Sequence, residues 1–308
     1  MKHNIKIILL LLPILTIFFV SNIHAQTPTD KGITLSPVIS NITLNKGETY
    51  NGKLYITYNN NTVANANILV YAFRQSGDTQ HPKFSNKINK LSQSIHWIKI
   101  QKNVTLYPHK TIIINYTLNV AKNASPGGHF LSIIVSITKA GNEKIVESVG
   151  SLLIITINGR IISSGYIQNF GATNKIFFQN PINLYLKFVN TGNIQLAPYG
   201  YITISNIFGN KIKIIEINKN QSLDLPKSTR LYTTNFSLQN FINQFGIYTA
   251  TMNLTYGYQG HFVNTQSSST FYYFNYIYLI VLILIIMAIL LYIIKRKHNN
   301  KSLFQKKW

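Results

Sequence analysis

The stretch "TIIINYTLNV", Thr111 to Val120, decides the fold class. Ile112, Ile114, Tyr116, Leu118 and Val120 fall on one side of an extended chain; Thr111, Ile113, Asn115, Thr117 and Asn119 fall on the other. Successive side chains of a strand point to opposite faces, so this period of two predicts a strand with one buried and one wet face. The same period runs through "FLSIIVSI" (Phe130 to Ile137), where Leu131, Ile133, Val135 and Ile137 form the apolar set. It recurs in "YTATMNLTY" (Tyr248 to Tyr256), with Tyr248, Ala250, Met252, Leu254 and Tyr256 on one face. Turn signals separate such stretches: Asn45-Lys46-Gly47, Pro126-Gly127-Gly128, Gly141-Asn142, Gly192-Asn193 and Gly209-Asn210. Only "LQNFINQF", Leu238 to Phe245, has helical character, and it is short. Many short strands joined by turns predict an all-β chain of packed antiparallel sheets.

The strands repeat. "LYITYNNNT" (Leu54 to Thr62) returns as "LYLKFVNTG" (Leu184 to Gly192), "NYTL" (Asn115 to Leu118) as "NFSL" (Asn235 to Leu238), and "GHFLSIIVSI" (Gly128 to Ile137) as "GIYTATMNLT" (Gly246 to Thr255). The order is the same in both halves, while the offset shrinks from 130 to 118 positions. We therefore read two tandem Ig-like β-sandwich domains, 26–159 and 160–271, the first with an extra segment from Ser76 to Asn103.

Both ends carry membrane signals. Lys2 and Lys6 precede an apolar run from Ile7 to Val20, and small Ala25 follows, which is the order of a secretory signal peptide over residues 1–25. "YIYLIVLILIIMAILLYII", Tyr276 to Ile294, is uncharged and long enough to cross about 30 Å of hydrocarbon at about 1.5 Å per residue. Phe271, Tyr272, Tyr273, Phe274 and Tyr276 read as an aromatic belt on one side of it. Lys295, Arg296 and Lys297 open a basic tail, 295–308, on the other. Positive residues stay cytoplasmic, so the expected arrangement is a single-pass protein of the cell membrane, N-terminus extracellular and C-terminus cytoplasmic.

The net charge is +22 over 308 residues, with seven acids in all. The stretch between signal and helix holds 21 basic and all seven acidic residues, a net of +14. No cysteine is present, which excludes disulfides, thiolate catalysis and cysteine-ligated metal. The histidines show neither H-x-H nor HExxH spacing, and there is no nucleophile elbow, P-loop, zinc pattern or basic helix. The nearest carboxylate pair, Glu143 and Glu147, flanks Lys144 on a hairpin. The expectation is a non-enzymatic protein with no cofactor, no metal, no catalytic residue and no specific nucleic-acid partner. From Thr79 to Asn142 the chain has no acid, and the extra segment gathers Lys83, Lys87, Lys90, Lys99 and Lys102 around Trp97. Charge with an aromatic ring suits an anionic polymer or a sugar, so these six form the candidate ligand-binding set.

"ITLSPVISNITLNKGETYNGKLYITYNN", "HWIKI" with "LYPHKTIIINYTL", "ASPGGHFLSIIVSI" and "VGSLLIITINGR" together resemble the WxL-interacting proteins, a bacterial surface family. The resemblance implies an N-terminal Ig-like domain described as peptidoglycan-binding, a second β-sandwich and a C-terminal transmembrane helix. It points to a surface protein binding cell-wall glycan or an anionic wall polymer through domain 1. The alternative is a surface scaffold or adhesin that binds another secreted or host protein by its sandwich edge strands.

Overall fold

The computed structural model describes residues 32–75, 77, 82–85, 93–138 and 145–305. The expected signal peptide therefore lies outside the described residues, as do Lys87, Lys90 and Glu143.

Two sheets face each other in the first half. One runs β1 (Ile33–Ser36), β3 (Thr49–Tyr58), β8 (Lys110–Asn119), β6 (Ile98–Ile100). The other runs β2 (Ile39–Leu44), β10 (Ile145–Ile157), β9 (Gly127–Thr138), β4 (Ala64–Gln75), β5 (Pro82–Ser85), with β7 (Asn103–Leu106) also on β4. The apolar positions of the opening stretch meet here: Ile114, Tyr116 and Leu118 of β8 pack with Leu54 and Ile56 of β3 and with Ile133 and Val135 of β9. All are buried, and each such side chain contributes about 1.5–3 kcal/mol of transfer free energy.

The second half repeats the plan. One sheet is β11 (Gly165–Ala172), β13 (Ile182–Asn190), β16 (Ser228–Phe236). Its partner is β12 (Ile176–Phe177), β18 (His261–Phe274), β17 (Phe245–Tyr258), β14 (Tyr199–Asn206), β15 (Lys211–Ile217). The orders coincide except that β6 and β7 have no counterpart among the described residues of the second copy, and β2 and β12 each run parallel to the last strand of their own unit. The register coincides too. Leu54 sits opposite Ile114, and Leu184 opposite Thr234, the same pair displaced by 130 and 120 positions. One sandwich topology is thus built twice in an all-β chain. Its core in the second copy centres on Leu184, Phe188, Met252 and Phe271.

Two faces differ from the pattern. On β9 the alternate set is not wet: Phe130 is buried because the second sandwich covers that end of the sheet, while Ser132 and Ser136 are small side chains enclosed between β4 and β10, Ser136 Oγ lying 2.8 Å from Ser148 Oγ. Nor do Phe271 and Tyr273 belong to a membrane belt. Both are fully buried, Phe271 stacked on Tyr248 with a ring separation of 5.6 Å. β18 carries them into the core before the chain turns into α1 (Tyr276–Gln305). The helical stretch is a short 3-10 turn, Phe241–Gln244. Within α1, Tyr276–Arg296 is long and apolar enough to cross a bilayer, and none of it is buried against the protein.

Candidate functional site

The four described members of the candidate ligand-binding set, Lys83, Trp97, Lys99 and Lys102, do not converge. Trp97 ends a 3-10 turn, Gln93–Trp97, is 6% exposed, and lies with its ring centroid 4.6 Å from that of His129. Its faces are spent on the core of the first sandwich, so it offers no ring to a ligand. Lys83 is exposed on β5 opposite Arg74. Lys99 is exposed on β6, in the other sheet, opposite Thr117. The Lys102 carbonyl accepts from Ile68 N at 2.6 Å. Ile68 and Arg74 are six residues apart on β4, about 20 Å at a strand's rise, so Lys102 and Lys83 belong to opposite ends of the sandwich. Glu147 has a local structural contact: its Oε1 accepts from Ile33 N at 2.8 Å, pinning β1 beside β10.

What the sheets do present is an open edge. β10 is 13 residues long and pairs with β9 along its length. On its other side β2 pairs only with Leu152 to Ile157. The reason is local. The chain leaves the opposite sheet at the end of β1, turns at Pro37, and joins β10 only where Leu152 N donates to Val38 O at 2.8 Å. Ser151 Oγ donates to Pro37 O at 2.7 Å and holds the turn. Ladder groups on one side of a strand come from every second residue, so Ser148 and Gly150 turn their N–H and C=O to the side that β2 serves further along. Among the described residues, no strand takes these groups. Ser148 and Gly150 are exposed, and so are Ile145 (56%), Val38 (63%) and Ile39 (52%) beside them. The sequence contains each of these residues, but the edge depends on where β1 changes sheets, which no local pattern reports.

The opposite end of β10 meets the second sandwich. Phe73, Phe130 and Ile154 pack on Leu225, with Leu152 and Leu223 alongside. Gln75 clamps the contact: its Nε2 donates to Thr229 O at 2.8 Å, while its Oε1 accepts from Ser228 Oγ at 2.9 Å and Leu225 N at 3.3 Å. Across from it Gly128 N donates to Asn193 O at 2.8 Å, and Asn193 Nδ2 donates to Pro126 O at 3.1 Å. Gly127 has φ +115°, and a Cβ there would lie 2.2 Å from Asn193 O, so glycine is required by both backbone and contact. A cleft of about 330 Å³ opens beside the clamp, lined by Phe73, Arg74, Lys83, His129, Leu225 and Lys227. Three of these are cations, and the Lys227 ammonium donates to Thr191 O.

Behind the clamp stands Asp224, which is fully buried. Tyr232 Oη donates to its Oδ1 at 2.8 Å, and Arg230 Nη1 lies 3.4 Å from the same oxygen. Burial pushes the carboxyl up to about 7, against the opposing pull of Tyr232 and Arg230. The Asp224 backbone ties the loop before β16 to Leu196: Leu196 N donates to Asp224 O at 2.9 Å, and Asp224 N donates to Leu196 O at 2.6 Å.

No family model matches the sequence, and no curated protein matches it. Solved structures do. The class 5 fimbriae chaperone CfaA is similar over 77% of this chain and 99% of its own, at 10% identity and a TM-score of 0.41. The YadV chaperone is similar over 77% and 98%, at 9% identity and a TM-score of 0.39. The E. coli chaperone DraB is similar over 77% and 98%, at 12% identity and a TM-score of 0.35.

These likenesses concern the β-sandwich fold. The resemblance drawn from the sequence is corrected: no family model matches the chain, that of the WxL-interacting proteins included, and the solved structures similar to it include fimbrial chaperones. The motifs that carried the resemblance are turns and strand starts, which any chain of this topology requires. Peptidoglycan binding, and wall glycan as the partner, lose their support with it.

Proposed function

We propose that the chain is a non-enzymatic, membrane-tethered protein-binding module that takes an extended strand of another protein along the open half of β10. The observation that carries this reading is the run from Ile145 to Gly150, held by β9 on one side and paired by no strand among the described residues on the other. Strand addition supplies affinity through main-chain hydrogen bonds and selectivity through alternate side chains. An incoming strand would lie in line with β2 and continue its ladder, with Val38, Ile39 and Ile145 offering apolar contact. In this reading residues 26–159 and 160–271 are two extracellular domains, α1 is a single-pass anchor, and the basic tail is cytoplasmic. The partner is another secreted or surface protein.

Ser148→Pro tests it. The replaced N–H is one that faces away from β9, so the change leaves the β9 ladder intact. A photo-crosslinker placed in turn at positions 145 to 150 of the full-length protein in cells should give an adduct whose yield alternates along the strand. The adduct should survive wall digestion and disappear in the Ser148→Pro background. An adduct unaffected by Ser148→Pro, or none from any of the six positions, would overturn the proposal.

A further inference from the structure

The end of the second sandwich nearest α1 is built as a seat. β14 and β18 run in the same direction, both antiparallel to β17, and both head toward the helix. Asn206, Tyr248 and Phe271 form one row across these three strands. Past this row β14 turns back through Ile207 and Phe208 into β15. Phe208 is 83% exposed, more than any other large apolar side chain whose exposure is described, those of Tyr276 to Ile294 included. Ile207 is 66% exposed.

Other residues converge on the same end. Tyr276 N, at the start of α1, donates to Phe178 O at 3.0 Å, and the Phe178 side chain is exposed. Phe245 stands edge-on to Tyr278, in the first turn of the helix, with ring centroids 6.2 Å apart. Lys175, Lys211 and Lys213 are exposed around them. Tyr272 N donates to the Lys175 carbonyl, and Lys211 lies opposite Ser205, one residue from the row. The segments 172–183, 203–214, 236–250 and 271–279 contain no acid.

The heights agree with a lipid surface. Phe208 stands in the turn just past the row, within two residues of strand rise from it, and the first residue of α1 follows Phe271 of the row by five, so the two heights differ by at least about three residues, about 10 Å along a strand. The headgroup layer on each side of a bilayer is about 5–8 Å thick. A phenylalanine side chain directed that way from the turn covers the remaining distance. Aromatic side chains ringed by lysines favour this layer, the rings at the boundary and the ammonium groups on anionic lipid.

We infer that the Ile207–Phe208 turn and Phe178, flanked by Lys175, Lys211 and Lys213, rest in the outer surface of the bilayer beside α1 and hold the second sandwich at a fixed angle to it. The inference rests on the reading of α1 as a membrane span. It goes beyond that reading, because a span alone leaves the sandwich free to swing.

The chain has no cysteine, so single sites can be labelled without background. Nitroxide labels at Ile207→Cys, Leu284→Cys and Thr57→Cys, each in the full-length protein in nanodiscs with and without anionic lipid, report depth through collision with oxygen and with a water-soluble nickel complex. Position 284 reads the span, and position 57 reads free water on the first sandwich. The expected result is nickel access at 207 several-fold below that at 57, with oxygen access raised, and a further drop in nickel access with anionic lipid. Phe208→Ser should return the 207 label toward the water value. A 207 label as open to nickel as 57, while 284 lies in lipid, overturns the seat and leaves the span standing. A 207 label shielded from both probes means that protein covers the turn, which also overturns it. If 284 is open to water, the span itself fails and the seat with it.

Discussion

Replacing Gln75 with alanine should loosen the two sandwiches from each other without unfolding either. The side chain makes two good hydrogen bonds across the junction, to Thr229 O and from Ser228 Oγ, and a longer one from Leu225 N. Each is part-buried and contributes about 0.5–1.5 kcal/mol net. The two short bonds alone therefore support about 1–3 kcal/mol. The apolar contact of Leu225 with Phe73, Phe130 and Ile154 remains, so the junction should open more often but persist. A loss of about 2 kcal/mol in local opening free energy corresponds to about a thirtyfold faster hydrogen exchange in the affected segment. Hydrogen exchange by mass spectrometry should show this acceleration over residues 223–229, with little change in β8 or β17. Faster exchange everywhere, or none at 223–229, would refute the assignment of Gln75 as the clamp.

Three further outcomes follow from the geometry. Gly127→Ala should destabilise by at least about 1–3 kcal/mol, since it strains a positive φ and drives a Cβ into Asn193 O; a thermal midpoint within error of the parent would contradict this. Trp97→Ala should cost about 3–5 kcal/mol, as for a core aromatic, and a denaturant melt with an unchanged midpoint would show instead that the ring is peripheral. For Asp224, the folded-state carboxyl sits above its ordinary value, so the folded form holds the proton more tightly. That contribution is present in full near pH 4 and is lost as pH rises to about 7, a change on the order of a few kcal/mol. Comparing denaturant midpoints from pH 4 to 8, Asp224→Asn should remove this slope, and two parallel profiles would count against it.

The alternation in "TIIINYTLNV" and "YTATMNLTY" made β8 and β17 readable, because each has one face in a core and one in water. The repeat was readable because both copies need the same turns at the same steps. β9 misleads for a physical reason: Phe130 sits where a solvent-facing residue is expected, yet packs on Leu225, 95 positions away. Tyr273 misleads likewise, since an aromatic run beside a membrane helix reads the same whether it ends a strand or rings a bilayer. The edge at Ser148 and Gly150 arises from the sheet change after β1. The position of Phe208 beside α1 emerges only when registers are followed from β14 through β17 to β18.

In both units the chain departs by the strand that lies between the penultimate strand and the short parallel one. In the first copy that exit, β10, feeds another unit; in the second, β18 feeds the helix. The architecture is therefore concatenable. A further unit grafted in after Asn158 would meet the same kind of outlet that the present second unit meets, and would raise the outermost strands by roughly 40 Å, the length of β10, without altering a single contact at the foot of the stalk.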